Sequence, residues 1–134
     1  MAAVLGGIGL AQAEGPKVAV LARAEGPQVA GIWASQSTPE HMVFKSNGFV
    51  RTCFAGAAKG NAAMGSWSEK QPGKIVVEFT HAVSPSCVSA PVVQRKYAVK
   101  IVGYATVTDA ELALFVSGEF PPDRYVKVEA ARLR

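Results

Sequence analysis

The chain has 134 residues, of which 49% are hydrophobic and 18% are charged. This length is typical of one domain, and the high apolar fraction excludes an intrinsically disordered chain. The formal net charge of +4 comes from scattered lysines and arginines without a basic run, so we predict that the protein does not bind nucleic acid.

Residues 1–13 are similar to the end of a secretory signal peptide. A short apolar run leads to Ala11-Gln12-Ala13, which matches the small-x-small pattern at which such peptides are cleaved. The basic stretch that usually opens a signal peptide is missing, so a helix or strand at the start of the mature protein is the alternative. The similarity to a signal peptide predicts a periplasmic or secreted protein. Because the apolar run is too short to span a bilayer as a helix, we predict no transmembrane segment.

A short duplication follows, since the sequence AEGPKVA at 13–19 returns almost unchanged as AEGPQVA at 24–30. Two copies cannot build a solenoid, which needs three or more repeats. We therefore predict that residues 14–28 are a linker-like lead-in and that a single domain occupies residues 29–134.

The domain opens with β-prone sequence. The run Val29–Ser35 contains Gly31 and Trp33, a pair in which the glycine leaves room for a large indole ring. Between His41 and Ala55, two β-prone runs flank Asn47-Gly48, a strong turn signal because both residues tolerate positive φ. We predict a strand and then a hairpin. The second arm of the hairpin is not cleanly two-sided, since one of its faces carries Phe49, Arg51 and Cys53.

A weakly patterned stretch, 57–64, separates this hairpin from the next strands and is predicted to be a loop, with a strand beginning at Ala62 as the alternative. A second Gly-x-Trp pair, Gly65 and Trp67, begins the following β-prone run. Lys74–Thr80 is predicted to be a strand with one apolar face, made of Ile75, Val77 and Phe79. The segment His81–Pro91 contains two prolines and three serines, which excludes a central strand and favours a surface loop.

The clearest alternation lies in Arg95–Val116, where residues change face with the two-residue period of a strand. In its first half one face carries Tyr97, Val99 and Ile101, and the other carries Lys96, Ala98 and Lys100. After a turn at 108–110 the apolar residues recur as Leu112, Leu114 and Val116, which predicts an antiparallel hairpin. Arg124–Val128 is predicted to be the last strand, with Tyr125 and Lys127 on one face.

These segments predict an all-β protein. Short sequential strands joined by closely spaced turns, with no amphipathic helix, are typical of an antiparallel barrel or sandwich. Short links between consecutive strands favour an up-and-down order. We therefore predict an antiparallel up-and-down β-barrel of about eight strands, with the N-terminal segment outside it.

The order of these motifs resembles that of bacterial lipocalin-like domains of the calycin type. The resemblance covers about Val29–Val128, and its elements are the two Gly-x-Trp pairs, the hairpin Phe44–Val50 and the late tyrosine-containing hairpin. It implies an eight-stranded barrel with a small apolar interior and Trp33 as a structural plug at the closed end. The His81–Pro91 loop departs from the family pattern. Avidin-like barrels share Gly-x-Trp, but their polar biotin-binding ring is not recognisable here.

The aromatic residues allow two functional interpretations. Five of them are candidate ligand-binding residues in the barrel: Trp33, Phe44, Trp67, Phe79 and Tyr97. They either line a cavity for a small apolar ligand or simply fill the interior, because a barrel of about eight strands has room for little else. The first interpretation predicts a ligand-binding domain.

The second interpretation predicts a protein-interaction or inhibitor module with a filled core and an envelope protein as partner. Its contact surfaces would be the rigid loops at Pro85 and Pro121-Pro122, together with Tyr104 and Phe115, which face outward in the alternation.

Cys53 and Cys87 are the only cysteines. In an exported protein an even count favours a disulfide, which would tie the Asn-Gly hairpin to the serine-rich loop. Two separate thiols, one of them buried in the sheet, are the alternative.

The sequence gives no sign of catalysis, a metal or a cofactor. His41 and His81 each lie near a strand end without Cys, His or carboxylate partners at ligand spacing. The loop serines are not part of a Gly-x-Ser-x-Gly motif, and no acid–base pair can be assigned. We predict that the protein is not an enzyme and holds no metal or cofactor.

Overall fold

The structure is a computed structural model that describes residues 28–56, 60–116 and 121–129. The predicted signal-peptide remnant and nearly all of the predicted lead-in lie outside these residues. Within them there are eight strands and no helix, so the all-β prediction is confirmed. The described residues therefore include no helix that could span a membrane. The strands are β1 (Gly31–Ser35), β2 (Glu40–Phe44), β3 (Phe49–Phe54), β4 (Ala62–Gln71), β5 (Lys74–Val83), β6 (Val93–Val107), β7 (Glu111–Val116) and β8 (Asp123–Val128).

The strands form a closed antiparallel barrel. Each strand pairs with the next strand of the sequence, and β8 pairs with β1 to close the sheet. Ile32 of β1 shows both contacts, since it lies opposite Val43 of β2 and opposite Val128 of β8. The predicted up-and-down order is therefore confirmed, and closure gives each described strand two neighbours in the sheet.

Up-and-down order places the connections alternately at the two ends of the barrel. One end, here called the short-turn end, has the turns at 45–48, 72–73 and 108–110. The opposite end, here called the loop end, has the connections 36–39, 55–61, 84–92 and 117–122. The connection 84–92 therefore lies at the loop end, away from the Asn47-Gly48 turn.

The predicted Asn47-Gly48 turn joins β2 to β3. Gly48 has a φ of 94°, which only glycine adopts without strain. The side-chain oxygen of Asn47 accepts a hydrogen bond from the backbone N–H of Phe49 at 3.0 Å. The turn therefore depends on an oxygen acceptor at position 47 and on glycine at position 48.

The barrel interior is occupied by a core cluster of apolar side chains from alternate strand positions. Its members are Val29, Trp33, Met42, Phe44, Val50, Ile75, Val77, Phe79, Ala105, Val107, Leu112, Leu114 and Tyr125. The predicted inward face of β5 is confirmed by this cluster. Burial of each large apolar side chain contributes about 1.5–3 kcal/mol, so this cluster is the main source of stability.

The predicted apolar face in the first half of β6 is wrong. Val99, placed there with Tyr97 and Ile101, is 80% exposed. The pairing of β6 with β5 explains the difference, because the four residues between Lys96 and Ile101 lie opposite the single residue between Phe79 and His81. This bulge turns part of the strand away from the core, which a regular two-residue period cannot anticipate.

Beyond the bulge, β6 follows the expected alternation and forms the predicted hairpin with β7. Ala105 lies opposite Leu114, and Val107 lies opposite Leu112, with all four side chains in the core cluster. Tyr104, next to Ala105 in β6, lies on the outer face, as predicted, and is 60% exposed.

Gly65, in the second Gly-x-Trp pair, is required by the close approach of two strands. A Cβ atom at this position would lie 1.7 Å from the backbone oxygen of Glu78 on β5. The strand register also shifts between Met64 and Gly65. A glycine at this irregularity therefore lets β4 and β5 stay paired.

Candidate functional site

The five predicted aromatic residues lie in one region, at different depths. Trp33, Phe44 and Phe79 belong to the core cluster and are 0%, 2% and 6% exposed, respectively. Trp67 and Tyr97 are partly buried and pack against that cluster. The rings of Phe44 and Trp67 meet edge to face with centroids 5.6 Å apart, a favourable packing geometry.

The indole ring of Trp33 is covered by Lys127 and by the backbone of the segment before β1. Its indole N–H donates a hydrogen bond to the carbonyl of Val29 at 3.0 Å. Lys127 of β8 lies opposite Trp33, with its ammonium nitrogen 5.0 Å from the indole ring centroid. The same nitrogen donates to the carbonyls of Gln28 and Ala30 at 2.7 and 2.9 Å.

Lys127 therefore fixes the chain segment before β1 across the indole. Its stem also explains Gly31, because a Cβ atom there would lie 2.6 Å from Cε of Lys127. Burial lowers the pKa of Lys127 from 10.5. The sequence predicted that Lys127 shares a face with Tyr125, and the fully buried Tyr125 confirms that this face points inward.

A second feature is a loop segment folded against the outer face of β3. This segment, residues 84–92, is here called the strap. Cys87 of the strap forms the predicted disulfide with Cys53 of β3, with Cα atoms 5.0 Å apart. The N–H of Phe54 donates to the carbonyl of Pro85 at 2.7 Å, so the strap is bonded to the strand and is not a free loop.

The strap differs from the predicted His81–Pro91 loop, because β5 continues to Val83 and takes three residues of the expected loop into the sheet. Pro85 is held against β3 and is not a projecting contact. Of the other predicted contact loop, Pro121 and Pro122 are described and 117–120 lie outside the described residues.

Arg51 of β3 binds the strap from below. It is 6% exposed, and its guanidinium donates hydrogen bonds of 3.0–3.2 Å to three strap carbonyls, those of Ser84, Ser86 and Ser89. Its Nε is buried without a hydrogen-bond partner, and no described carboxylate forms an ion pair with it. Burial lowers the pKa of this guanidinium, since the charge is withdrawn from water.

A cavity of about 480 Å³ lies beside the strap on the outer surface; it is here called the strap groove. Its lining comprises Val43, Lys45, Asn47, Phe49, Arg51, Cys53, Cys87, Ser89, Ala90 and Pro91. The walls are largely apolar, with cationic and amide groups at a few positions.

A second outer cavity, of about 350 Å³, adjoins the exposed aromatic residues of β6 and β7. Tyr104 and Phe115 lie directly opposite each other on neighbouring strands and are 60% and 42% exposed. Val76 of β5 lies opposite Tyr104 on its other side. These three residues are here called the aromatic platform, and Lys70 and Lys74 line the same cavity.

A third cavity, of about 370 Å³, is lined by Tyr97 and residues of β4, β5 and β6. The guanidinium of Arg95 lies 5.2 Å from the centroid of the Tyr97 ring. Of the five predicted ligand-binding aromatics, Tyr97 thus borders both the core cluster and an outer cavity.

The two histidines occupy separate local environments. His41 is 4% exposed, with its Nδ1 3.0 Å from the carbonyl of Pro39 and its Nε2 without a partner. His81 Nδ1 is 2.8 Å from the hydroxyl of Thr80. Among the described residues, no three His, Cys, Asp or Glu side chains come close enough together to hold a metal ion.

Sequence reasoning missed the roles of Arg51 and Lys127. The only indication in the sequence was that each of these two residues lies between apolar or β-prone residues of a predicted strand. Such a pattern indicates an unusual environment, but it does not identify the backbone carbonyls that accept the hydrogen bonds.

Comparison with protein-family models, with curated proteins and with solved structures gives no match. The closed eight-stranded antiparallel barrel is compatible with a lipocalin-like domain.

Proposed function

We propose that the protein is an exported, non-catalytic interaction module with a lipocalin-like barrel, which binds an envelope protein through the aromatic platform. The disulfide supports export, because such bonds persist in oxidising compartments. In this proposal the barrel interior serves as a rigid scaffold and the outer surface makes the contact.

The observation that carries the proposal is the exposed pair of aromatic rings on β6 and β7. Tyr104 and Phe115 project from paired positions of the outer sheet surface, beside a concave cavity. Aromatic side chains are enriched at protein interfaces and provide a large contact area at a small cost in conformational entropy. Paired exposed rings are therefore a better anchor for a partner than a single exposed residue.

Charge adds a constraint on the partner. Lys70 and Lys74 are exposed and line the same cavity as the platform. Complementary charge at the rim of an interface increases the association rate and selects among partners. The expected partner therefore presents an apolar anchor flanked by aspartate or glutamate.

The packed interior also supports a surface role. Trp33, Phe44 and Phe79 are almost completely buried by one another and by their neighbours in the core cluster. Side chains packed in this way are typical of a barrel core that confers stability.

The test is affinity capture from an envelope extract with three immobilised proteins: the wild type, a Tyr104→Ser/Phe115→Ser variant and a Val99→Ser control. Val99 is an exposed apolar residue on β6 outside the platform. A partner retained by the wild type and the control but lost by the platform variant supports the proposal, as does weaker capture by Lys70→Glu/Lys74→Glu. Equal capture by all variants contradicts it.

A second candidate function, binding of a small apolar ligand at the barrel interior, is favoured by the cavity beside Tyr97. That ring lines an outer cavity and also packs against the core cluster, so a ligand held beside it would lie next to the interior. Trp33 and Trp67 pack in or against the same cluster, so occupancy would change their fluorescence. Titration with a panel of lipids should shift the emission, with a smaller effect in Tyr97→Ala; no shift for any compound contradicts this candidate.

A further inference from the structure

We propose that the strap groove is a binding site for a small carboxylate with an aromatic or apolar tail. The site is separate from the aromatic platform and from the barrel interior. Its cavity volume of about 480 Å³ lies in the range of about 300–1,000 Å³ that is common for small-molecule sites.

The sign of the ligand's charge follows from Arg51. This cation lines the groove, is 94% removed from solvent by its surroundings and has only neutral carbonyls as partners. Burying a charge without a counter-ion costs free energy. Because little water lies between Arg51 and the groove, the positive charge attracts an anion there with little screening. An anion in the groove would supply the missing negative charge.

Two exposed groups at the rim can contact the carboxylate directly. Lys45 lines the groove, and its ammonium has no partner among the described residues. Asn47 uses its side-chain oxygen to accept the N–H of Phe49, which leaves its amide NH₂ available to donate. An ammonium and an amide donor together match the acceptor oxygens of a carboxylate.

The tail is defined by the groove walls. Val43 and Phe49 line the groove from the β2–β3 hairpin, while Cys87 and Pro91 line it from the strap. These surfaces offer mainly apolar contacts, so a compact aromatic tail suits them better than a sugar or a polyphosphate. Because the disulfide holds the strap to β3, it also fixes the distance between the two walls.

The experiment uses 3-phenylpropionate as the probe and follows binding through backbone amide chemical shifts of the whole, oxidised protein. Two matched compounds carry the same tail without the negative charge: 3-phenylpropan-1-ol and 3-phenylpropylamine. We expect saturable shifts at strap and β2–β3 turn residues with the carboxylate, and much weaker binding of the alcohol and the amine.

The variants test the assigned groups without disturbing the fold. Asn47→Asp keeps the oxygen that accepts the Phe49 N–H and adds a negative charge, while Lys45→Glu reverses an exposed charge. Each should weaken binding of the probe at least about threefold, and Lys45→Arg should preserve it. Lys96→Glu changes the net charge by the same amount as Lys45→Glu, at an exposed position of β6 outside the groove, and should not affect binding of the probe.

Three outcomes would overturn the proposal. The first is equal affinity for the alcohol and the carboxylate, which would show that charge does not determine binding. The second is a shift pattern confined to core residues, which would place the probe in the barrel interior. The third is the absence of saturable shifts at the strap. None of these outcomes bears on the aromatic platform, so the two proposals fail independently.

Discussion

At two positions of this barrel a cationic side chain is held by backbone carbonyls, with no carboxylate partner among the described residues. Lys127 binds the carbonyls of the segment before β1, and Arg51 binds those of the strap. Each has several donors on one charged group, so a single side chain can satisfy carbonyls that strand pairing leaves free. In both cases a residue type usually found on the surface instead fastens an irregular segment to the barrel.

The first prediction concerns Lys127. Lys127→Met keeps an apolar stem over Trp33 but removes both hydrogen bonds to the carbonyls of Gln28 and Ala30. We expect the free energy of unfolding to fall by about 1–3 kcal/mol, since those acceptors lose a charged donor. Urea titration followed by tryptophan fluorescence measures the change, and unaltered stability would contradict the bonding described here.

The pH dependence of that difference follows from the lowered pKa of Lys127. Between the lowered pKa of the folded state and 10.5, the unfolded chain binds a proton that the folded chain does not. The wild type should therefore gain stability relative to Lys127→Met as pH rises through this window. Below the window the difference between the two proteins should be constant.

At the scale of elements, the strap and the bulge in β6 modify a regular barrel. The strap covers the outer face of β3, and both the disulfide and Arg51 hold the strap to that strand. The bulge has the opposite effect, because it exposes Val99 and ends the alternation within one long strand. Both features lie away from the short-turn end, and both shape outer cavities.

The second prediction concerns the disulfide, which joins residues 34 positions apart. Chain-entropy arguments assign a link of that span about 3–4 kcal/mol, through its effect on the unfolded chain. The Cys53→Ser/Cys87→Ser variant should therefore be less stable by about that amount. Urea titrations of the oxidised wild type and of the variant measure the loss, and a difference below about 1 kcal/mol would show that the strap is held by other contacts.

Thiol counting gives the matching control. The denatured wild type should react with a thiol reagent only after reduction, because its two cysteines form one bond. Reduced wild type should then unfold at the urea concentration found for the double variant.

At the scale of the whole molecule, closure of the sheet brings the inward faces of the strands into one core. β1 and β8 pair, so the described strands form a closed sheet, and Trp33, Phe44 and Phe79 meet in its interior. The remaining outer surface carries the aromatic platform and the strap groove, which are built from different strands. The two proposals therefore place recognition on the outer face of a sheet whose inner face holds the core cluster.

The third prediction tests how tightly that interior is packed. Phe79→Ala should lower the free energy of unfolding by about 3–5 kcal/mol, because Phe79 is 6% exposed and lies in the core cluster. Phe115→Ala, the same substitution at a residue 42% exposed, should cost much less. Denaturant titration compares them, and similar small losses would indicate that Phe79 borders open space.

The candidate sites could be predicted from the sequence only in part. The sequence identified the aromatic residues that meet in the interior and the outward positions of Tyr104 and Phe115. It did not indicate that Phe115 lies opposite Tyr104, because that pairing depends on hairpin register. It also gave no sign of the strap groove, whose walls come from β2, β3 and a distant loop.

The sequence by itself determined the strand class, the order of strands and the turn at Asn47-Gly48, because alternation and turn chemistry are local properties. Only the tertiary structure decided the bulge that exposes Val99, since an irregular register depends on the neighbouring strand. It also decided the environments of Arg51 and Lys127. Their partners are backbone carbonyls at remote positions, and a carbonyl has no residue type by which a sequence could reveal it.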